Sequence, residues 1–244
     1  DYEEAVDWHR RRLSLVGEIG DPDHQADIYG NAIAPAVSRG EFDEARRYTA
    51  SNEDVTRGLS PHHRLHGVSA SLELEELLGN WEDASRLQRR VEDAVAANVE
   101  TPCVRNQRSL LVCALARAHL GDDEGARRLE REAEAHGMTG YGTVLDTPRL
   151  QLALQRGDLA AVASLLGEPA VRRSNWFYPS SMAAHLDGLA ALREGARVEH
   201  EATRLMKPGT YLEPFALRAL GIVREDGSLV ERAAERFAEL GLAW

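Results

Sequence analysis

A six-residue pattern recurs along this chain at intervals that leave room for a helix on each side and for little else. Gly40-Glu41-Phe42-Asp43-Glu44-Ala45 returns as Gly79-Asn80-Trp81-Glu82-Asp83-Ala84 and as Gly121-Asp122-Asp123-Glu124-Gly125-Ala126. A fourth copy is Gly157-Asp158-Leu159-Ala160-Ala161-Val162, and Gly195-Ala196-Arg197 is a weaker fifth. The first four glycines fall 36 to 42 residues apart, the size of one helix hairpin in a repeat array. Glycine ends the first helix because it takes the left-handed position after a helix without steric cost. The acidic residues then fall in the first turn of the next helix, where the helix dipole favours negative charge. The alanine that follows is small where two helices approach closely, and Phe42, Trp81 and Leu159 are placed to cap the apolar seam of each hairpin.

The starts of the units are punctuated as well. Asp21-Pro22, Ser60-Pro61 and Thr101-Pro102 each join an N-cap residue to a proline at the first helical position. Between these marks apolar residues recur at three and four: Leu65, Val68, Leu72 and Leu77-Leu78 in one unit, Leu110, Cys113, Ala114 and Leu120 in the next. The pattern predicts a partial helix over about 2–17, then helix pairs over roughly 22–59, 61–99, 102–137, 144–166, 176–206 and 211–241. Pro148 is expected inside or at the start of a shorter helix, with a kink there. No linker divides the 244 residues, so one domain over 1–244 is expected.

Composition agrees with an all-α chain. Apolar residues are 43 %, aromatics 6 %, and β-branched residues never gather into an alternating run. The formal net charge of −11 repels phosphate and anionic lipid, which argues against direct nucleic-acid or membrane binding. Lys207 is the only lysine among the 29 lysines and arginines, a skew that fits a GC-rich bacterial genome. Cys103 and Cys113 are assigned to one helix, about 15 Å apart along its axis, too far for a disulfide. They are expected reduced, buried and inert, as in a cytoplasmic protein. The opening residues read as the middle of a helix, so the chain is expected to be a C-terminal fragment of a longer multidomain protein.

Catalytic signatures are missing from the sequence. Lys207 lacks the glycine-rich run of a phosphate loop, and Gly140-Tyr141-Gly142 meets Leu145 where a dinucleotide fingerprint needs glycine. Gly67-Val68-Ser69-Ala70-Ser71 fails as a nucleophile elbow at its last position. His200-Glu201 lacks the second histidine of a zincin helix. His62 and His66 share a helical face at metal-ligand spacing, but no third ligand is evident nearby. These histidines are assigned to a polar first turn. The expectation is therefore no enzyme, no cofactor and no metal. Trp176-Phe177-Tyr178-Pro179 is the densest aromatic cluster; Trp176 and Tyr178 could line a pocket or clamp a peptide, or simply fill a gap in the core.

Gly-x-aromatic-acidic-acidic-Ala, best represented by Phe42 with Ala45 and Trp81 with Ala84, resembles the turn and second-helix start of tetratricopeptide (TPR) repeats. The first-helix positions depart from that consensus, so the units are TPR-like and divergent. The stretches 1–22 (DYEEAVDWHRRRLSLVGEIGDP) and 231–244 (ERAAERFAELGLAW), with 102–120 and 210–225, are similar to large actinobacterial regulators. In those, a C-terminal TPR-like array follows an ATPase module, with an adenylate/guanylate cyclase domain or a LuxR-type DNA-binding domain elsewhere in the chain. None of the cyclase, ATPase or DNA-binding residues is present here.

The resemblance implies an α-α superhelix, a TPR-like solenoid of about five to six helix hairpins, whose first helices line a concave groove. Aligned on the turn glycines, Asp27, Asn31, His66, Ser69, Glu73 and Arg108 fall on that face. Asn31 and Arg108 would suit peptide backbone and carboxylate recognition. The function implied is a non-catalytic regulatory domain that binds a protein or peptide, including the missing ATPase or effector module of the same chain. The alternatives are a sensor of a small molecule or peptide pheromone and a self-associating scaffold.

Overall fold

The computed structural model describes residues 2–166 and 177–244. The described residues are helical throughout, with no strand. Helix α1 (Tyr2–Ser14) and a 3-10 turn (Val16–Glu18) precede six hairpins. The hairpins are α2 (Pro22–Ser38) with α3 (Phe42–Thr56), α4 (Pro61–Leu78) with α5 (Trp81–Ala97), and α6 (Val104–His119) with α7 (Asp123–Ala135). Next come α8 (Gly142–Gln155) with α9 (Leu159–Leu165), α10 (Tyr178–Ala191) with α11 (Gly195–Ala202), and α12 (Glu213–Arg224) with α13 (Gly227–Glu239). The pairs coincide with those the punctuation predicts. Pro148 lies inside α8, and Pro35 lies inside α2.

One turn joins every pair. Gly40, Gly79, Gly121 and Gly157 hold positive φ between 67° and 80°. The residue after each donates its N–H to the carbonyl five positions back: Glu41 to Ala36, Asn80 to Glu75, Asp122 to Arg117, Asp158 to Ala153. This is the Schellman closure, which satisfies carbonyls that a helix end otherwise leaves bare. The next helix begins one residue later. In the last two hairpins the same seat is taken by Arg193 (φ 57°) and Glu225 (φ 54°), with Glu194 bonding Leu189 and Asp226 bonding Gly221. Gly195 is therefore the first residue of α11, not the turn residue that the weak fifth copy suggests. Ala45, Ala84, Ala126, Val162 and Val198 sit at the equivalent place in five second helices, and all are fully buried.

The caps follow the sequence in two units and depart from it in a third. Asp21 accepts the Asp23 N–H ahead of α2, and Ser60 accepts the His63 N–H ahead of α4. Helix α6 starts two residues later than Pro102, with Cys103 at the N-cap. Asn106 reaches back to accept the Cys103 N–H at 2.9 Å, and this bond draws the helix start past the proline. Cys103 is thus half-buried at a helix end, not buried in a helix interior, whereas Cys113 is buried as expected. Leu120 is exposed because α6 has already ended, and Leu159 is exposed rather than capping its seam.

Contacts group the chain into two compact units, 1–139 and 140–244. In the first, α1 packs on α2, consecutive helices from α2 through to α7 pack on one another, and α4 also packs directly on α6. Leu65, Leu72, Leu78, Leu110, Leu111 and Leu115 form the centre of this unit and are essentially inaccessible to solvent. Each such side chain contributes about 1.5–3 kcal/mol by leaving water. In the second, α8, α10 and α12 lie against one another in turn, with α9, α11 and α13 beside them. Phe215 anchors that core, edge-on to Phe237, and Arg218 lies over both rings while pairing with Asp187 at 2.7 Å. No helix among the described residues is long and apolar enough to cross a membrane.

Candidate functional site

Helix α6 is buried on every side between α4, α5 and α7, a position that calls for apolar residues all round. Its second half obeys this, from Leu110 to Ala116. Its first half does not. Arg105, Asn106, Gln107, Arg108 and Ser109 are five consecutive buried polar residues. A buried polar group costs free energy unless it is bonded, and each of the five has a partner from another segment.

Arg105 donates from Nε and Nη2 to the two oxygens of Glu73, at 3.1 and 3.2 Å. Arg108 donates from Nη2 to both oxygens of Glu76, at 3.0 and 2.8 Å, and its Nη1 lies 3.8 Å from Glu73. Ser109 Oγ meets Ser69 Oγ at 2.8 Å, and Gln107 accepts the Met138 N–H at 3.1 Å. Asn106 bonds Asn98 and the backbone of the loop before α6. The two acids lie three apart on α4 and the two arginines three apart on α6, so the pairs stack one helical turn above the other. Burial pushes the Glu76 carboxyl above its ordinary range, and the Arg108 guanidinium pulls it back. Both carboxylates are engaged by guanidinium groups.

At the N-terminal end of the same seam lies a second cluster. One ring nitrogen each from His62 and His66 and the thiol of Cys103 all lie within 4.8 Å of one another, and all three residues are half-buried. Cys103 Sγ is 3.5 Å from His66 Nε2. The His62 and His66 rings are 4.3 Å apart. His62 Nδ1–H donates to the Thr101 carbonyl at 3.1 Å. Burial, reinforced by Arg105, His62 and His63, lowers His66 to about 3, so its ring is neutral at pH 7. The loop that carries Cys103 is held by Asn98 and Asn106, both buried. Asn98 bonds the Thr101 carbonyl and hydroxyl, and Asn106 bonds the Cys103 N–H. His63 faces elsewhere, 2.7 Å from Asp23.

The residues assigned to a groove divide between two places. His66, Ser69, Glu73 and Arg108 come together along the α4–α6 seam, but Ser69, Glu73 and Arg108 are inside it and not on an open surface. The reason is that α4 packs on α6, which turns these outward-counted positions toward a neighbouring helix. Arg108 in particular is engaged by Glu76, so carboxylate recognition does not fall to it. Asp27 is exposed on α2, and Asn31 is half-buried one turn on, donating to the Asp27 carbonyl at 2.7 Å. Tyr178 is buried in the second unit; Trp176 lies outside the described residues. A hollow of about 190 Å³, mouth included, lies between α1, α2 and α3, bordered by His9, Arg10, Glu41 and Tyr48. No family model matches the chain, and no curated protein or solved structure matches it.

Proposed function

We propose that this chain is a non-catalytic regulatory domain of a bacterial signalling or transcriptional regulator, following the TPR-like superhelical plan and binding a protein or peptide segment. The observation that carries this reading is the sixfold return of one hairpin with one turn geometry, in which successive first helices pack side by side: α4 on α6, and α8 on α10 on α12. Repeats of this kind stack into extended surfaces and leave their first helices to meet a ligand. The accessible polar face of α2, with Asp23 and Asp27 exposed, then takes the role of contact surface. Its chemistry favours a partner that brings basic groups and amide donors, not a carboxylate terminus.

The test is affinity capture from a lysate of the source organism, comparing the native domain with an Asp27→Arg/Asn31→Ala variant. A protein retained by the native surface and lost from the variant supports the reading. Identical capture by both forms rejects α2 as the contact face. Concentration-dependent self-association without any capture would favour the scaffold alternative.

A further inference from the structure

We infer that His62, His66 and Cys103 form a binding site for a single divalent transition-metal ion of the zinc class, with a fourth coordination position open to water. Two imidazole nitrogens and a thiolate are a borderline-soft donor set, suited to Zn(II) and unsuited to Mg(II) or Ca(II). The positions come from two helices: His62 and His66 one turn apart on α4, Cys103 at the start of α6. A tetrahedral ion with nitrogen at about 2.0–2.1 Å and sulfur at about 2.3 Å places neighbouring ligand atoms roughly 3.3–3.7 Å apart. The Cys103–His66 separation of 3.5 Å already lies in that range, and no ligand pair needs to close from more than 4.8 Å.

The surroundings are arranged as metal sites require. The His62 Nδ1–H bond to Thr101 fixes the tautomer that presents Nε2, the usual role of a residue behind a ligating histidine. Asn98 and Asn106 hold the loop so that the thiol faces α4. Arg105, two residues after Cys103, is bonded twice to Glu73, which offsets its charge. Binding deprotonates the Cys103 thiol; the sulfur donates its electron pair to the ion and the proton passes to solvent. Three protein ligands with a free position is the arrangement of zinc sites that keep an exchangeable ligand, in contrast to closed four-ligand structural sites.

Co(II) titration of the whole 244-residue chain tests this directly. One equivalent should produce a thiolate-to-cobalt charge-transfer band together with the d–d bands of a four-coordinate ion, and Zn(II) should then displace both. Cys103→Ser should abolish the charge-transfer band while Cys113→Ser retains it, and His62→Ala should weaken binding by tenfold or more. An independent readout uses the native chain alone: one equivalent of Zn(II) should slow alkylation of Cys103 by iodoacetamide at least tenfold. No charge-transfer band, a band that survives Cys103→Ser, or alkylation unaffected by Zn(II) would each overturn the assignment.

Discussion

Arg108 and Glu76, thirty-two positions apart in sequence, meet inside the α4–α6 seam through two hydrogen bonds of 3.0 and 2.8 Å. Arg105 and Glu73 meet at the same interval one turn away. A buried pair of this kind gives little net stability against an apolar pair of equal volume, because both ions have left water. Losing one member is another matter, since the survivor stays buried with its charge. Glu76→Gln is expected to lower the unfolding free energy by about 3–5 kcal/mol in a urea titration, whereas Glu76→Leu combined with Arg108→Met should recover most of the loss. A single-variant loss under about 1 kcal/mol would mean that the pair is screened as surface pairs are.

The turn residues offer a test in both directions. Gly79 has φ 74° with its neighbours fixed by the Schellman bonds, so Gly79→Ala is expected to cost about 1–2 kcal/mol. Glu225 holds the equivalent seat at φ 54° against its own preference, so Glu225→Gly should be neutral or stabilising. Thermal melts of the two variants, run in parallel, should move in opposite directions or leave the second unchanged.

His119 stacks on Trp81, with ring centroids 4.1 Å apart and planes within 5°, and burial lowers its pKa to about 4. The unfolded chain takes up a proton here below about pH 6.5, while the folded chain resists it down to about 4. Stability is therefore level above pH 6.5 and falls as the pH drops toward 4, with a slope of up to about 1.4 kcal/mol per pH unit from this group. His9 and His185 are shifted the same way. His119→Phe keeps the stack and removes the proton, so its urea midpoint should fall less steeply between pH 6.5 and 5. Equal slopes for variant and parent would refute the assignment.

Gly67 marks a close approach between α3 and α4. A Cβ there would overlap Thr56 Oγ1 and lie 3.3 Å from Glu53 Cα. Gly67→Ala should therefore destabilise by about 1–3 kcal/mol, measured by denaturant titration. Adding Thr56→Ala should recover part of this and not all, because the Glu53 backbone remains in place.

The hairpins were legible because their signals are local. A left-handed glycine, an acidic first turn and an N-cap before proline act within a few residues, and the six pairs follow from them. The start of α6 was not, since Thr101-Pro102 looks like Asp21-Pro22 while the decisive bond comes from Asn106. The inward turn of Ser69, Glu73 and Arg108 was hidden for a different reason. Periodicity shows which face a residue is on, but not how many neighbours that helix has, and α4 has three (α3, α5 and α6). A signal did exist in the matched spacing of Glu73 with Glu76 and Arg105 with Arg108 in consecutive first helices. The third member of the cluster with His62 and His66 lies thirty-seven positions beyond His66, at Cys103, outside the reach of local spacing.

An array of hairpins built on one plan has a problem that a unique core does not: an apolar seam can be matched to the wrong neighbour. The stacked ion pairs of α4 and α6 distinguish the two cases. Sliding α6 by one turn would bring Arg108 to Glu73 and strand both Arg105 and Glu76 without their partners inside the seam. The quartet thus works like the teeth of a key, indifferent to how tightly the lock is made but intolerant of any notch other than its own.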